Sequence, residues 1–462
     1  MKDLRVLIMA AGKGTRMVSD TAKVLHAVCG QPMVRLIYRA AAGVEPEEVF
    51  VVIGQDADRV RTALGGLPAR FVLQTEQLGT GHAIMTARPE LQEKDGDLLV
   101  LSGDTPRLKS ETLRGLVEHH RRSGAVTTLL TAAAEDPFGY GRVLRGPDGR
   151  IESIVEERDA TEDQRRVREI NAGFYCFQIP ALIEALENLS NRNAQKEYYL
   201  TDLVKIQRSR GLRIEALLHT DFAELRGINT RKELAELAQT MRARKNDELM
   251  AAGVTLVDPE QTYIDLDVAI AKDVTIHPGV TLEGTTRIGE GSIIRTGARI
   301  SNSIIGSEVE ILESCLITDS EVGKGTTVGP CAHLRGHTVV GEKCRVGNFV
   351  EIKKSTLGNG SKAAHLAYLG DATIGSNVNI GAGVITCNYD GVRKHATIIE
   401  DEVFVGTDSQ LVAPVRIGRG AYVAAGSCIT EDVPAGALGI ARSRQTNKAE
   451  WVRRRKESKQ SG

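Results

Sequence analysis

The chain has 462 residues, enough for about three domains, with 59 basic and 60 acidic side chains and a net charge of −1. That balance leaves no electrostatic footprint for nucleic acid or an anionic membrane surface, and no apolar run of about eighteen residues is present to cross a bilayer as a helix. Seven cysteines without a Cys-x-x-Cys pair argue against a disulfide framework or zinc site and for the reducing cytoplasm, while 4% aromatics beside 47 glycines suit a fold stacked from small aliphatic units.

Residues 1 to about 228 alternate strand and helix patterns. Leu4-Arg5-Val6-Leu7-Ile8-Met9, Val49-Phe50-Val51-Val52-Ile53 and Leu98-Leu99-Val100-Leu101 are short apolar runs separated by helix-length amphipathic stretches. The first run leads into Gly-Lys-Gly and reads as a buried strand, not a signal peptide. Unbroken apolar strands covered by helices predict an α/β, Rossmann-like domain with a mostly parallel sheet, whose ligands bind beyond the carboxyl ends of the strands. Two loops stand there. Ala10-Ala11-Gly12-Lys13-Gly14-Thr15-Arg16 combines glycines, which let backbone N–H groups approach phosphate, with two cations, and Lys23 follows. It matches neither a Walker loop nor GxGxxG, and a plain strand–helix turn is its bland alternative. Ser102-Gly103-Asp104 places a carboxylate at a strand end, which suits Mg²⁺ shared with substrate phosphates, or simply a helix cap. The two loops together favour the metal.

Residues 230 to about 252 carry Leu234, Leu237, Met241, Leu249 and Met250 at spacings that fit one amphipathic helix, a connector ending at Gly253. Beyond it aliphatic residues recur every six positions: Ile270, Ile276, Leu282, Ile288, Ile294 and Ile300. After slips of one residue come Ile305, Ile311 and Ile317, then Val322, Val328, Leu334, Val340, Val346 and Ile352. Ile399, Val405, Leu411, Ile417, Val423 and Ile429 resume the series. Neither a helix nor an alternating strand has this period; a parallel β-helix of three short strands per coil does. Gly289, Gly323, Gly329, Gly341, Gly347, Gly406 and Gly418 fall at the corners, where tight or positive-φ backbone favours glycine. Between Leu357 and Ile374 the ladder lapses, and Gly358 to Tyr368 is expected as an ejected loop carrying His365. A lone loop histidine is usually just solvated. Here Glu351, Lys353 and Arg335 on adjacent coils offer a carboxylate to orient it and two cations for a phosphate. Thr386 to Gly391 is a second irregular, polar stretch, and Arg453-Arg454-Arg455-Lys456 is a charged tail, solvated or reaching the phosphates of coenzyme A.

These motifs carry a specific resemblance. Leu7 to Met17 with Lys23, Gln74, Gln77 to Ala83, Gly139-Tyr140-Gly141-Arg142, Glu156, Asn171 and Gly227-Ile228-Asn229 resemble, in order, the signature of sugar-1-phosphate nucleotidylyltransferases. With the six-residue ladder behind them, about 440 residues resemble the bacterial bifunctional N-acetylglucosamine-1-phosphate uridylyltransferase/glucosamine-1-phosphate acetyltransferase family. The resemblance implies a uridylyltransferase domain over 1–228, a linker helix over 229–251, and a left-handed β-helical acetyltransferase domain over 252–462. It implies Mg²⁺ at Asp104 and Asn229, with UTP and acetyl-CoA as co-substrates. Nucleotide and sugar would meet Met9, Ala10, Ala11, Gly12, Arg16, Lys23, Gln74, Gly79, Thr80, Ser102, Gly103, Asp104 and Asn229, with Gly141, Glu156 and Asn171 on the N-acetylglucosamine. Ser102 stands where relatives often carry Tyr. In the acetyltransferase His365 would be the general base. Arg335, Lys353, Tyr368 and Asn379 would hold the sugar phosphate, and Ala382, Asn388, Tyr389, Thr407, Ala425 and Arg442 the sugar or acetyl-CoA. A homotrimer acting on small molecules alone is implied. Two other readings stay open: a nucleotidylyltransferase for another hexose phosphate with a regulatory β-helix, and a non-catalytic scaffold.

Overall fold

The structure, a computed structural model, describes residues 1–12 and 14–460; Lys13, assigned above to phosphate, lies outside the described residues. The chain divides into two compact units, Met1–Thr240 and Met241–Gly462. No helix among the described residues is long and apolar enough to cross a membrane.

The first unit is built on Leu4–Met9, which runs parallel to Glu48–Ile53 on one side and to Asp97–Ser102 on the other. Arg70–Leu73 extends the sheet in parallel. On the far side Glu169–Gln178 runs antiparallel between Asp97–Ser102 and Thr127–Ala133, and Ile214–His219 adds a parallel edge strand. The apolar runs lack polar alternation because both faces of this sheet are covered. Val6, Ile8, Val49, Val51, Leu99 and Leu101 enter one core, while Leu7, Phe50, Val52, Leu98 and Val100 enter the other. Met9 pairs with Ser102, so the chain leaves two neighbouring strands at the same level and the loops from Ala10 and Gly103 start side by side.

The second unit is a left-handed parallel β-helix. Three parallel sheets of 11, 10 and 9 strands each take every third strand of the chain, except at the last step of the largest. One interior column runs Ile276, Ile294, Ile311, Val328, Val346, Ala363, Ile380, Val405 and Val423, all at most 3% exposed. The slips in the ladder are coils one residue shorter than their neighbours, as between Ile294 and Ile311. The expected reason for the corner glycines needs correction. Of the seven named, Gly329 alone has positive φ (109°), whereas Cys331, Phe349 and Leu366 adopt it without being glycine. The others are required by close approach of successive coils: a Cβ on Gly323 would stand 2.6 Å from the Gly341 carbonyl carbon.

The predicted ejected loop is not a loop. Lys362–His365 and Tyr368–Gly370 are strands in register with the coils on either side. Ala363 takes the inward place, and a methyl group is too small to register in a ladder of Ile, Leu and Val. The real insertion comes one coil later. Ile380 and Val405 are stacked neighbours, and the extra chain between Cys387 and Thr397 closes on itself through a Tyr389–Lys394 bridge.

The helix Arg231–Ala251 opens with a capping box in which Thr230 Oγ1 accepts from the Glu233 amide and the Glu233 carboxylate accepts from the amides of Asn229 and Thr230. Its buried stripe includes Leu237, Asn246 and Leu249, while Met250 faces outward. Asn246 is 1% exposed and donates from Nδ2 to the carbonyls of Pro259 (2.8 Å) and Thr262 (3.2 Å), anchoring the helix on the first coil. Asn246→Ala should therefore cost about 1–3 kcal/mol, because both carbonyls lose a buried donor. A urea unfolding curve of the full chain followed by circular dichroism checks this; an unchanged midpoint would contradict it.

Candidate active sites

At the ends of the paired strands the sequence dictates close contact. A Cβ on Gly103 would lie 2.8 Å from the Met9 carbonyl, whose oxygen accepts the Gly103 amide at 3.0 Å. This brings Asp104 over the first loop. Lys23, on the short 3₁₀ turn Lys23–Leu25, pairs with the Asp104 carboxylate and donates to Asn229 Oδ1 at 3.0 Å. Arg16 donates to the same Asn229 oxygen at 2.8 Å, and Ser102 Oγ donates to Asp104 Oδ1 at 2.7 Å. Burial pushes the Asp104 carboxyl up, but the Lys23 ammonium, the Ser102 hydroxyl and a backbone N–H together outweigh it and hold the group below the usual carboxylate range. The Ile228 amide donates to the Asp104 carbonyl at 2.9 Å, which fixes Asn229 beside it although 125 positions separate them.

Two cavities meet at Met9, Thr80, Ser102 and Asp104. The smaller, about 470 Å³, is lined by Ala11, Gly12, Lys23, Gln74 and Gly79. The larger, about 950 Å³, is lined by Arg16, Gly141, Glu156, Asn171 and Asn229. Ala10 is buried with its amide spent on Val52, so it backs the site without facing either cavity. Gln74 Nε2 meets His82 Nδ1 at 2.9 Å, and the helix Thr80–Leu91 starts from Gly79, where a Cβ would stand 2.7 Å from the Tyr198 carbonyl. Burial raises the Glu156 carboxyl, with Asp202, Asp159 and Glu197 adding repulsion and the Thr201 hydroxyl, donating at 3.0 Å, opposing it. Thr201 was missed in the sequence, where nothing local marks it. The hairpin strand Arg142–Arg145 carries Gly141 at its start, and fully buried Arg142 grips Glu157 at 2.7 Å and the Tyr140 carbonyl.

On the β-helix, Arg335, Lys353 and Gly370 are in register on one face, and Tyr368 follows Glu351 on the same sheet. Glu351 does not orient His365, as expected from the sequence; it accepts from Arg335 Nε at 2.8 Å. The two residues lie on different sheets, a separation that closeness in sequence hides. The partner of His365 is Asn348, whose Oδ1 is 2.7 Å from Nδ1. The insertion brings a further cation, Lys394, to Lys353. Lys394, then desolvation and Arg335, push the Lys353 ammonium below the usual lysine range, with Asp371 opposing. Lys394 was also missed, being one more charge in a polar loop until the fold returns it. Asn388 is buried and donates to Asp371 Oδ2 at 2.6 Å; Tyr389 is exposed. Asn379 pairs with Lys362 beside the His365 strand. Ala382 and Thr407 succeed one another at one corner: the Asp408 amide donates to the Ala382 carbonyl at 2.7 Å, and the Gly426 amide, next to Ala425, to the Thr407 carbonyl at 2.8 Å. Arg442 passes beside Gly426 at the end of this column, and the helix Trp451–Gln460 follows it, exposed.

A family profile described as MobA-like NTP transferase domain matches residues 6–196, and one described as GMPPB C-terminal domain matches residues 264–357. The chain is 49% identical to the bifunctional protein GlmU of Geobacillus sp. (strain WCH70) over 97% of each chain. It is 49% identical to that of Pelobacter propionicus over 98% of each, and 48% identical to that of Listeria welshimeri over 97% of this chain and 98% of the relative. With both candidate sites inside that span, the chain belongs to the bifunctional GlmU family.

Proposed function

We propose that the two constellations divide the synthesis of UDP-N-acetylglucosamine between them, acetyl transfer on the β-helix and uridylyl transfer on the α/β unit. The observation that supports this reading is the presence, on one chain related end to end to bifunctional proteins, of two separate polar clusters, one beside two cavities of the α/β unit and one around His365 on the β-helix.

In the α/β unit the smaller cavity suits the nucleotide and the larger the sugar. A phosphate oxygen of N-acetylglucosamine 1-phosphate attacks the α-phosphorus of UTP; the new P–O bond forms as the bond to pyrophosphate breaks. The nucleophile is already an anion, so no base is needed, and the residues align it and neutralise charge. Arg16 and Lys23 supply positive charge. The oxygens of Asp104 and Asn229 converge on one ammonium here, which fits them to hold Mg²⁺ together with phosphate oxygens. When bound, the metal supplies further positive charge against the departing pyrophosphate.

On the β-helix Arg335, Lys353 and Lys394 form a cationic seat for the phosphate of glucosamine 1-phosphate. His365 takes a proton from the sugar amine through Nε2 as the nitrogen attacks the thioester carbonyl of acetyl-CoA. The C–S bond then breaks and the proton passes to the departing thiolate. Ala382, Thr407, Ala425 and Arg442 line the coenzyme path, with Asn388 and Tyr389 at the sugar end. Exposed Phe404 and Tyr422, their rings stacked 5.2 Å apart, and exposed Leu438 and Ile440 support assembly of copies through the β-helix, which we place as a homotrimer in the cytoplasm.

Incubation with glucosamine 1-phosphate, acetyl-CoA, UTP and Mg²⁺, with products followed by mass spectrometry, tests this. UDP-N-acetylglucosamine should form, and EDTA should stop the second step while N-acetylglucosamine 1-phosphate continues to accumulate. Loss of acetyl transfer on chelation would contradict the assignment.

A further inference from the structure

We propose that Asn348 is a positioning residue for acetyl transfer: its side-chain oxygen holds the imidazole of His365 as the tautomer with its proton on Nδ1, leaving the Nε2 lone pair open. The inference rests on the reading of His365 as the base and adds what makes it one.

Asn348 ends the strand Arg345–Asn348 and His365 ends Lys362–His365; the two are register partners on successive coils. Backbone and side chain both tie them. The Leu366 amide donates to the Asn348 carbonyl at 3.0 Å, and Asn348 Oδ1 faces His365 Nδ1 at 2.7 Å. Gly347 makes this possible, since a Cβ there would stand 1.7 Å from the Ala364 carbonyl oxygen. The coils thus meet closely next to the pair, which sets Asn348 directly against the imidazole.

An amide oxygen can only accept, so the ring nitrogen it faces must carry the hydrogen. A neutral imidazole has one N–H; placing it on Nδ1 leaves Nε2 as the acceptor. A free histidine favours the opposite tautomer, in which Nε2 carries the hydrogen and cannot take a proton. An exposed His365 without a partner would therefore spend most of its neutral population in the unproductive form. Glu351, the carboxylate expected from the sequence to orient the ring, is engaged by Arg335 and leaves this task to the amide.

The test uses the full-length protein with ¹⁵N-labelled histidine side chains. The tautomer is read from long-range proton–nitrogen NMR correlations at a pH where the ring is neutral, with the His365 signals assigned by their loss in His365→Gln. The wild type should show the hydrogen on Nδ1. Asn348→Leu should move it toward Nε2 and lower kcat for acetyl transfer by roughly 10–100-fold, with KM for glucosamine 1-phosphate changed less than about twofold. Asn348→Asp, which also only accepts, should keep the Nδ1 hydrogen and restore most of kcat. A wild type carrying its hydrogen on Nε2 would overturn the proposal, as would Asn348→Leu with unaltered tautomer and kcat, or Asn348→Asp as slow as Asn348→Leu. If His365→Gln acetylated at the wild-type rate the base itself would be wrong, whereas the tautomer readings judge Asn348 independently.

Discussion

Asp104→Ala is expected to lower uridylyl transfer by about 10²–10³-fold or more and to leave acetyl transfer unchanged. Asp104 is the hub of the strand-end cluster: Lys23 pairs with its carboxylate, Ser102 donates to it, and its carbonyl holds Ile228 and so Asn229. Removing the carboxylate takes away a proposed oxygen ligand of Mg²⁺ and leaves the Lys23 ammonium, normally neutralised, with Asn229 alone. Asp104→Asn keeps the shape and the acceptor for Ser102 but removes the charge. It should be nearly as slow, which separates loss of charge from loss of structure. Steady-state kinetics of both half-reactions on each variant, with circular dichroism for folding, decides; an Asp104→Asn enzyme within a few-fold of wild type would show that the charge is dispensable.

His365→Ala is expected to lower acetyl transfer by about 10²–10⁴-fold, the range for a positioned general base. The sugar amine is largely protonated near neutral pH and must lose a proton to attack. Imidazole is the side chain whose ordinary titration lies closest to that pH. KM for the sugar phosphate should move little, because Arg335, Lys353 and Lys394 rather than His365 form the cationic seat. Uridylyl transfer should be unaffected. A variant acetylating at the wild-type rate would hand the base role to water or another group.

Much of this was legible in the sequence because it rests on periodicity. A parallel sheet covered on both faces reads as unbroken apolar runs, and a triangular coil reads as a step of six; both are local patterns. Of the first candidate site, the loops at Gly12 and Asp104 were legible as strand ends and a glycine-rich turn, whereas Gln74, Glu156, Asn171 and Asn229 came only with the family resemblance. What escaped lies between coils or across the insertion. Glu351 was assigned to His365, although the fold puts it on another sheet against Arg335 and gives His365 to Asn348, a register partner 17 positions away. The Ala363 coil looks like a loop in sequence because one methyl replaces a larger aliphatic group. Lys394 was invisible because its importance comes only from the bridge to Tyr389 that turns the insertion back toward Lys353. Of the corner glycines, Gly329 has the positive φ expected, while the rest answer to crowding by the next coil, which leaves no trace in one sequence.

The central claim is that two independent chemistries share one chain. Its most direct test supplies Asp104→Ala and His365→Ala, separately and then mixed, with glucosamine 1-phosphate, acetyl-CoA, UTP and Mg²⁺, and identifies the products by mass spectrometry. Asp104→Ala alone should accumulate N-acetylglucosamine 1-phosphate, His365→Ala alone should leave glucosamine 1-phosphate almost untouched, and the mixture should form UDP-N-acetylglucosamine. An Asp104→Ala protein that folds but cannot acetylate, or a mixture that yields no nucleotide sugar, would contradict the account.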